Sequence, residues 1–133
     1  MKTFSEVRHI SITIARSPAE VYAHAREPSN LPQWAKGLSG TIDFVDGEWI
    51  ADSPLGKVKV RFVDQNRFGV LDHDVLLPSG ESVYNPLRVV ANGHGSEVIF
   101  TIFRRPNTSD AEFAADVDAV TRDLATLKDL LER

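Results

Sequence analysis

The chain has 133 residues, of which 42% are hydrophobic and 26% charged, a balance typical of a globular domain and not of a disordered chain. A net charge of −4 disfavours binding to nucleic acid or to an anionic membrane. The absence of cysteine excludes disulfides, thiolate metal sites and cysteine nucleophiles.

The length, the short apolar runs and the N-terminal segment predict the number of domains and the location of the protein. Domains commonly have about 100–150 residues, so we predict a single domain over residues 1–133. A transmembrane helix needs about 20 apolar residues. Uninterrupted apolar runs in this sequence are very short, for example Val98–Phe100, so we predict no membrane span. The N-terminal segment M-K-T-F-S-E-V-R lacks the apolar stretch of a signal peptide, and we therefore expect a cytoplasmic protein.

The chain opens with a strand that two short helices follow. Isoleucine alternates with polar residues over 10–14, which is the period of a half-buried strand. Ser17–Glu20 predicts a helix start, because its serine caps, its proline suits the first turn and its glutamate completes a capping box. Pro28 and Pro32 end this helix early, and residues 30–35 predict a second short helix.

From residue 38 onward, turn signals recur at short intervals and separate six strand-like segments. Over 57–62, three basic residues alternate with three apolar ones, so one face of this strand meets water and the other meets a core. Because the loops between successive strands are short, we predict an antiparallel meander. The turn signals are Asp46-Gly47, Ser53–Gly56, Asn66-Arg67, Pro78–Gly80 and Asn92–Gly95.

A long helix closes the chain over roughly Ser109–Glu132, with a second capping box formed by Ser109 and Glu112. Its apolar residues recur every three or four positions, which is the pattern of an amphipathic helix. They are Phe113, Val117, Val120, Leu124, Leu127 and Leu131. A sheet with one apolar face and a helix with one apolar stripe bury these surfaces most simply against each other. We therefore predict an α+β fold with a curved antiparallel sheet around the last helix.

Four segments carry a resemblance to a known superfamily. They are I-S-I-T-I at 10–14, S-P-A-E-V-Y at 17–22, E-P-S-N-L-P-Q-W at 27–34 and G-S-E-V-I-F-T-I-F-R-R-P at 95–106. In these segments the chain resembles the START-like (SRPBCC, Bet v 1-like) superfamily, and it is most similar to the small bacterial polyketide cyclase/dehydrase-like members. The resemblance implies a helix-grip fold, in which a curved seven-stranded antiparallel sheet wraps around a long C-terminal helix and two short helices follow the first strand.

The same resemblance implies a cavity between the sheet and the C-terminal helix, which in this superfamily commonly holds lipids, polyketides, sterols or other apolar molecules. The chain lacks the glycine-rich loop of the plant-allergen branch between Asp46 and Gly56, and it shows no iron motif of the ring-hydroxylase branch. Because pocket residues differ widely among members, no catalytic residue is carried over from the family.

His73 is the leading candidate for chemistry. In the segment Val70–Leu77, three of the four residues on the His73 face are apolar, whereas the other face is half polar. We therefore predict that His73 points inward and that Asp72 and Asp74 point to solvent, since the reversed register would bury two carboxylates at high cost. An inward imidazole can act as an acid or base, because its unperturbed pKa is about 6.5. The alternative is a cavity-wall histidine that only forms hydrogen bonds.

Other residues are candidates for ligand contact. Trp34 and Trp49 are large aromatic side chains suited to an apolar pocket, and the alternative for both is ordinary core packing. Asn85 shares its alternation with apolar residues, so a ligand or a neighbouring backbone group must satisfy its amide. The upper part of the apolar helix stripe is primarily core and can also border a cavity. It comprises Phe113, Val117 and Val120.

The sequence gives no support for several other kinds of site. His9, His24 and His94 are scattered without ligand spacing, so we predict no metal site and no cofactor. The basic residues of 57–61 lack interleaved aromatics and predict a solvated face, so we expect no nucleic-acid partner. No serine-hydrolase elbow is present, and the sequence allows a homo-oligomer without indicating one.

Three functions are consistent with these patterns. The leading hypothesis is a binding protein for a small, largely apolar ligand that is lipid-, polyketide- or aromatic-like. The alternative is an enzyme of the cyclase, aromatase or dehydratase type, in which the cavity orients a reactive chain and His73 transfers a proton. A further alternative is a protein-interaction module with a filled core.

Overall fold

A computed structural model describes residues 4–38 and 40–133. Within these residues, one strand is followed by two short α-helices, seven strands and one long α-helix. The strands are β1 (Val7–Ile14), β2 (Ile42–Val45), β3 (Glu48–Ser53), β4 (Gly56–Phe62), β5 (His73–Leu76), β6 (Ser82–Asn85), β7 (Leu87–Asn92) and β8 (Gly95–Phe103). The helices are α1 (Pro18–Ala25), α2 (Leu31–Trp34) and α3 (Asp110–Glu132), with 3₁₀ turns at Pro28–Asn30 and Lys36–Leu38.

The strands form two antiparallel sheets, one of three strands in the order β1-β8-β7 and one of five in the order β2-β3-β4-β5-β6. The α+β fold with a long C-terminal helix agrees with the helix-grip prediction, but the predicted single seven-stranded sheet is wrong. The cause is Pro86, which has no N–H and divides one predicted strand into β6 and β7. Its carbonyl accepts a hydrogen bond from the N–H of Thr101 at 3.0 Å, so β8 still contacts the break.

The two sheets remain joined next to this break. The N–H of Leu71 donates to the carbonyl of Leu87 at 2.7 Å, and the N–H of Val89 donates to the carbonyl of Gly69 at 2.9 Å. The residues just before β5 therefore pair with β7, while β5 itself pairs with β6. Among the strands, α3 packs mainly on β1 and β8 of the three-stranded sheet.

The long helix begins and ends where the sequence predicts. The Ser109 side chain accepts from the N–H of Glu112, and the Glu112 side chain accepts from the N–H of Ser109, so the capping box is complete. Its apolar stripe divides between two clusters. Leu124 and Leu127 belong to the main core with α1, α2 and both sheets, whereas the residues nearer the helix start pack against Ile102 of β8.

Asp72 corrects one expectation from the sequence. It lies on the face opposite to His73, as predicted, but it is buried (7% exposed) instead of solvated. Its carboxylate accepts from the Arg88 guanidinium at 2.8 and 2.7 Å and from the N–H of Leu87 at 3.0 Å. The hydrogen bond from Arg88 is the main reason that the pKa of Asp72 lies below its ordinary value. The carboxylate therefore stays charged and joins β7 to the start of β5.

Gly69 gives a test of the junction between the sheets. Its φ is +74°, and a Cβ there would overlap the carbonyl oxygen of Val89, whose N–H donates to Gly69. We predict that Gly69→Ala lowers the free energy of unfolding by about 3 kcal/mol, measured by chemical denaturation. Gly47→Ala is the matched control, because Gly47 has a φ of +80° and open space around its Cβ position, so only about 1 kcal/mol of backbone strain is expected. Equal losses in the two variants would contradict a packed junction.

Candidate functional site

A cavity of about 360 Å³ lies between the inner face of the five-stranded sheet, β8, α2 and α3. Its volume falls in the range of small-molecule sites in proteins. The wall is mainly apolar, with side chains that include Leu31, Val58, Val75, Leu77, Val83 and Phe100. A mainly apolar wall with a few polar groups is typical of small-molecule sites.

Strand pairing arranges the inner face in cross-strand rows. His73 pairs with Phe62 of β4 on one side and with Asn85 of β6 on the other. The next row along the strands pairs Val75 with Val60 and Val83. Because alternate residues share a face, both rows point to the same side of the sheet as the cavity. A polar pair, His73 and Asn85, thus lies beside the apolar row of Val60, Val75 and Val83 on this face of the sheet.

The imidazole of His73 has a defined tautomer. Its Nδ1 lies 3.0 Å from the carbonyl oxygen of Leu71, and since a carbonyl can only accept, Nδ1 carries the proton. In the neutral ring, Nε2 is then left with a lone pair. The ring centroid lies 4.8 Å from that of Phe62 and 6.1 Å from that of Phe100. His73 therefore presents a hydrogen-bond acceptor within an aromatic setting.

Burial lowers the pKa of His73 below its ordinary value of 6.5. The Leu71 carbonyl and the nearby carboxylates of Asp72 and Asp74 act in the opposite direction, with a smaller effect. The imidazole is therefore neutral at pH 7. A neutral imidazole with a free Nε2 lone pair can accept a hydrogen bond from a ligand or remove a proton from one.

Four of the candidates from the sequence line this cavity: Trp34, His73, Asn85 and Val120. Trp34 comes from α2 and is 4% exposed, and its Nε1 has no hydrogen-bond partner among residues 4–38 and 40–133. Val120 comes from the middle of α3. The contact of these four side chains with a ligand remains a prediction, but the fold brings them to one space.

The other three candidates lie elsewhere. Trp49 packs against Phe44, with ring centroids 5.1 Å apart, and it lines a different groove beside α1. Phe113 and Val117 pack on Ile102 near the start of α3 and do not line the cavity. Their cluster also contacts Phe100 and Val120, which do line it, so these two side chains lie beside the cavity and not in its wall.

Two carboxylates on the cavity wall were not predicted as site residues from the sequence. Asp116 and Asp123 lie on α3 on either side of Val120, and both border the cavity. Burial raises the pKa of each above its ordinary value. The spacing of 116, 120, 123 and 124 is that of a single helix face, so the periodicity contained this signal. It was hidden because aspartates on an amphipathic helix are normally assigned to the solvated side.

No group of three histidine, aspartate or glutamate side chains in the described part of the chain could hold a metal ion. The histidines are dispersed, and His9, for example, bonds to the Thr101 hydroxyl at 3.0 Å. None of the helices within residues 4–38 and 40–133 is long and apolar enough to cross a membrane.

Residues 7–132 match the family model described as polyketide cyclase / dehydrase and lipid transport. The chain belongs to this family. The superfamily resemblance seen in the sequence is therefore confirmed. A comparison with curated proteins gave no match.

Solved structures support the same fold. XoxI from Bacillus cereus is 16% identical, with 94% of each chain covered and a TM-score of 0.75. The Aha1 dimer from Colwellia psychrerythraea is also 16% identical, with 96% of each chain covered and a TM-score of 0.74. DynU16, from the dynemicin biosynthetic locus, is 13% identical, with 95% of this chain and 47% of that chain covered and a TM-score of 0.72. At these identities the likeness concerns the fold.

The tautomer and pKa of His73 can be measured directly. We predict that long-range ¹H–¹⁵N NMR spectra show a proton on Nδ1 at pH 7 and a titration midpoint below 6.5. The unfolded chain protonates His73 more readily than the folded protein does, because the pKa of His73 is lower in the folded state. The contribution of neutral His73 to the free energy of unfolding is therefore fully present above pH 6.5 and decreases as the pH falls below 6.5. His73→Gln assigns the signal and should flatten that part of the stability profile. A proton on Nε2, or a midpoint above 6.5, would contradict the assignment.

Proposed function

We propose that this protein binds a small, largely apolar ligand in the cavity between the five-stranded sheet and α3. The observation that carries the proposal is the apolar cavity of about 360 Å³. Its wall uses medium-sized side chains such as Val75, Val83 and Val120 at positions where larger ones would fill the space. An empty apolar cavity forfeits dispersion contacts, and an apolar ligand restores them. Membership in a family described by polyketide cyclisation and lipid transport supports the same function.

His73 and Asn85 would orient the ligand. They stand opposite each other on β5 and β6, and they border the cavity together. The Nε2 lone pair of His73 is suited to accept a hydrogen bond from a ligand hydroxyl. The Asn85 amide can donate or accept, so the pair can hold one polar end of an otherwise apolar molecule.

A second function is favoured by the chemistry of His73. A neutral imidazole with its lone pair at an apolar cavity can act as a general base, taking a proton from a ligand carbon or hydroxyl. This is the cyclase- or dehydratase-type alternative, and the occurrence of DynU16 in a biosynthetic locus supports it by fold likeness. The protein-interaction alternative required a filled core, and the cavity does not support that premise.

Filling the cavity tests the binding proposal. Val83 lines it from β6, so Val83→Phe should weaken binding of the fluorescent probe N-phenyl-1-naphthylamine by at least about tenfold, the effect of about 1.4 kcal/mol. Val90→Phe is the matched control, since Val90 lies on β7 and is 44% exposed, and it should leave the affinity unchanged. Thermal melts verify that both variants fold. Equal probe affinity in the two variants would contradict the proposal. Native mass spectrometry of the wild-type protein from its own host then identifies a bound molecule.

Replacing His73 separates a binding protein from an enzyme. In a binding protein, His73→Ala removes one hydrogen bond and should weaken affinity by less than about tenfold. In an enzyme that uses His73 as a base, both His73→Ala and His73→Gln should slow turnover of the co-purified molecule by about a hundredfold or more. The product is followed by mass spectrometry. No turnover in the wild-type protein excludes the enzyme for that molecule, and equal turnover in the variants excludes His73 as its base.

A further inference from the structure

The polar groups on the wall of the cavity are mainly hydrogen-bond acceptors. On the sheet side, His73 offers the lone pair of Nε2, because its Nδ1–H is engaged by the Leu71 carbonyl. On the helix side stand the carboxylates of Asp116 and Asp123. The available side-chain donors there among the described residues are the amide of Asn85, which can also accept, and the Nε1–H of Trp34, which has no partner within residues 4–38 and 40–133. A ligand in this space therefore meets more acceptors than donors.

The charged groups at the cavity all have the same sign. Within the described part of the chain, the side chains of its wall include two aspartates but no lysine or arginine. Asp123 accepts a hydrogen bond from the backbone N–H of Lys36 at 3.1 Å. Because this donor is an uncharged amide, the hydrogen bond does not neutralise the carboxylate. Asp116 is exposed and stands at the mouth, whereas Asp123 is half-buried. Neither forms an ion pair with another described residue.

Nearby cations compensate these carboxylates only weakly. Arg105 acts on Asp116, and Arg122 and Lys36 act on Asp123, but for both carboxyls burial outweighs them and raises the pKa. An anionic ligand would be a third negative charge at the cavity, and its repulsion would be screened less at the half-buried Asp123 than at the exposed Asp116. It would also lose its own hydration without gaining a cationic partner, which is the costly case for a buried charge.

We propose that the cavity selects ligands that carry no negative charge and that donate hydrogen bonds, namely apolar or aromatic molecules bearing hydroxyl or amine groups, and that it rejects carboxylates such as fatty acids. This inference rests on the proposed binding function and adds its chemical selectivity. A hydroxyl or amine donor can reach the Nε2 of His73 at one side, and a second donor can face the carboxylates at the other. An apolar chain with a single carboxylate can accept from Asn85 or Trp34, but it donates to neither His73 nor the aspartates and adds a third negative charge beside them.

Two probes with the same ring system test the selectivity. N-phenyl-1-naphthylamine is uncharged and has an N–H donor, and 1-anilinonaphthalene-8-sulfonate is the same molecule with an added sulfonate. Fluorescence titration of the wild-type protein at low ionic strength should give an affinity for the uncharged probe at least about tenfold higher. Because the sulfonate also makes the probe more water-soluble, the decisive quantity is the change of this ratio when the carboxylates are removed.

The variant Asp116→Asn/Asp123→Asn removes both charges and keeps an oxygen that can accept from the N–H of Lys36. It should reduce the ratio at least about threefold, mainly through tighter binding of the sulfonate. Asp118→Asn/Asp129→Asn is the matched control, since it removes two charges from exposed positions of α3 away from the cavity, and it should leave the ratio unchanged.

The outcomes separate the two proposals. The binding function itself fails if neither probe binds the wild-type protein. It also fails if both probes bind Val83→Phe as tightly as they bind the wild-type protein. If the uncharged probe binds in the cavity but the sulfonate binds as tightly, the selectivity is overturned and the binding function stands. If both double variants change the ratio equally, net charge and not the cavity carboxylates controls it, and the inference is also overturned.

Discussion

The structure depends on the burial of the apolar stripe of α3 against the inner face of the sheets. Neither surface can leave water without the other, and α3 is the element that completes the core around Leu124 and Leu127. Where the side chains of helix and sheet meet, they form the core. Where they do not reach each other, between β4–β6 and the middle of α3, the cavity remains. Core and site are therefore two parts of one interface.

The break at Pro86 determines how the strands next to the cavity pair. It ends β6 at Asn85 and lets β7 pair with β8, while the residues before β5 stay bonded to β7. Asp72 stabilises this arrangement from the outer face through Arg88 and the N–H of Leu87. A buried charge with these partners fixes the register of its neighbour, so His73 is held on the inner face with its Nδ1 on the Leu71 carbonyl.

The chemical character of the cavity results from a small number of polar groups in an apolar wall. Family membership accounts for the fold, and solved structures at 13–16% identity share that fold. The wall of the cavity carries a neutral imidazole on the sheet side and two carboxylates on the helix side, among apolar side chains. Because burial strengthens each electrostatic interaction, we propose that these few groups decide which molecules the cavity accepts.

The sequence by itself determined the elements and their faces. Alternation of apolar residues, two serine-led helix starts and the heptad-like stripe of α3 each report a local preference, and His73 follows from the face that it shares with Leu71 and Val75. Only the tertiary structure decided which parts of those faces meet. Phe113 and Asp116 lie within one turn of α3, yet the first packs in the core and the second borders the cavity. Periodicity gives the direction of a side chain around its helix, whereas the neighbour that it reaches depends on how the helix lies across the sheet.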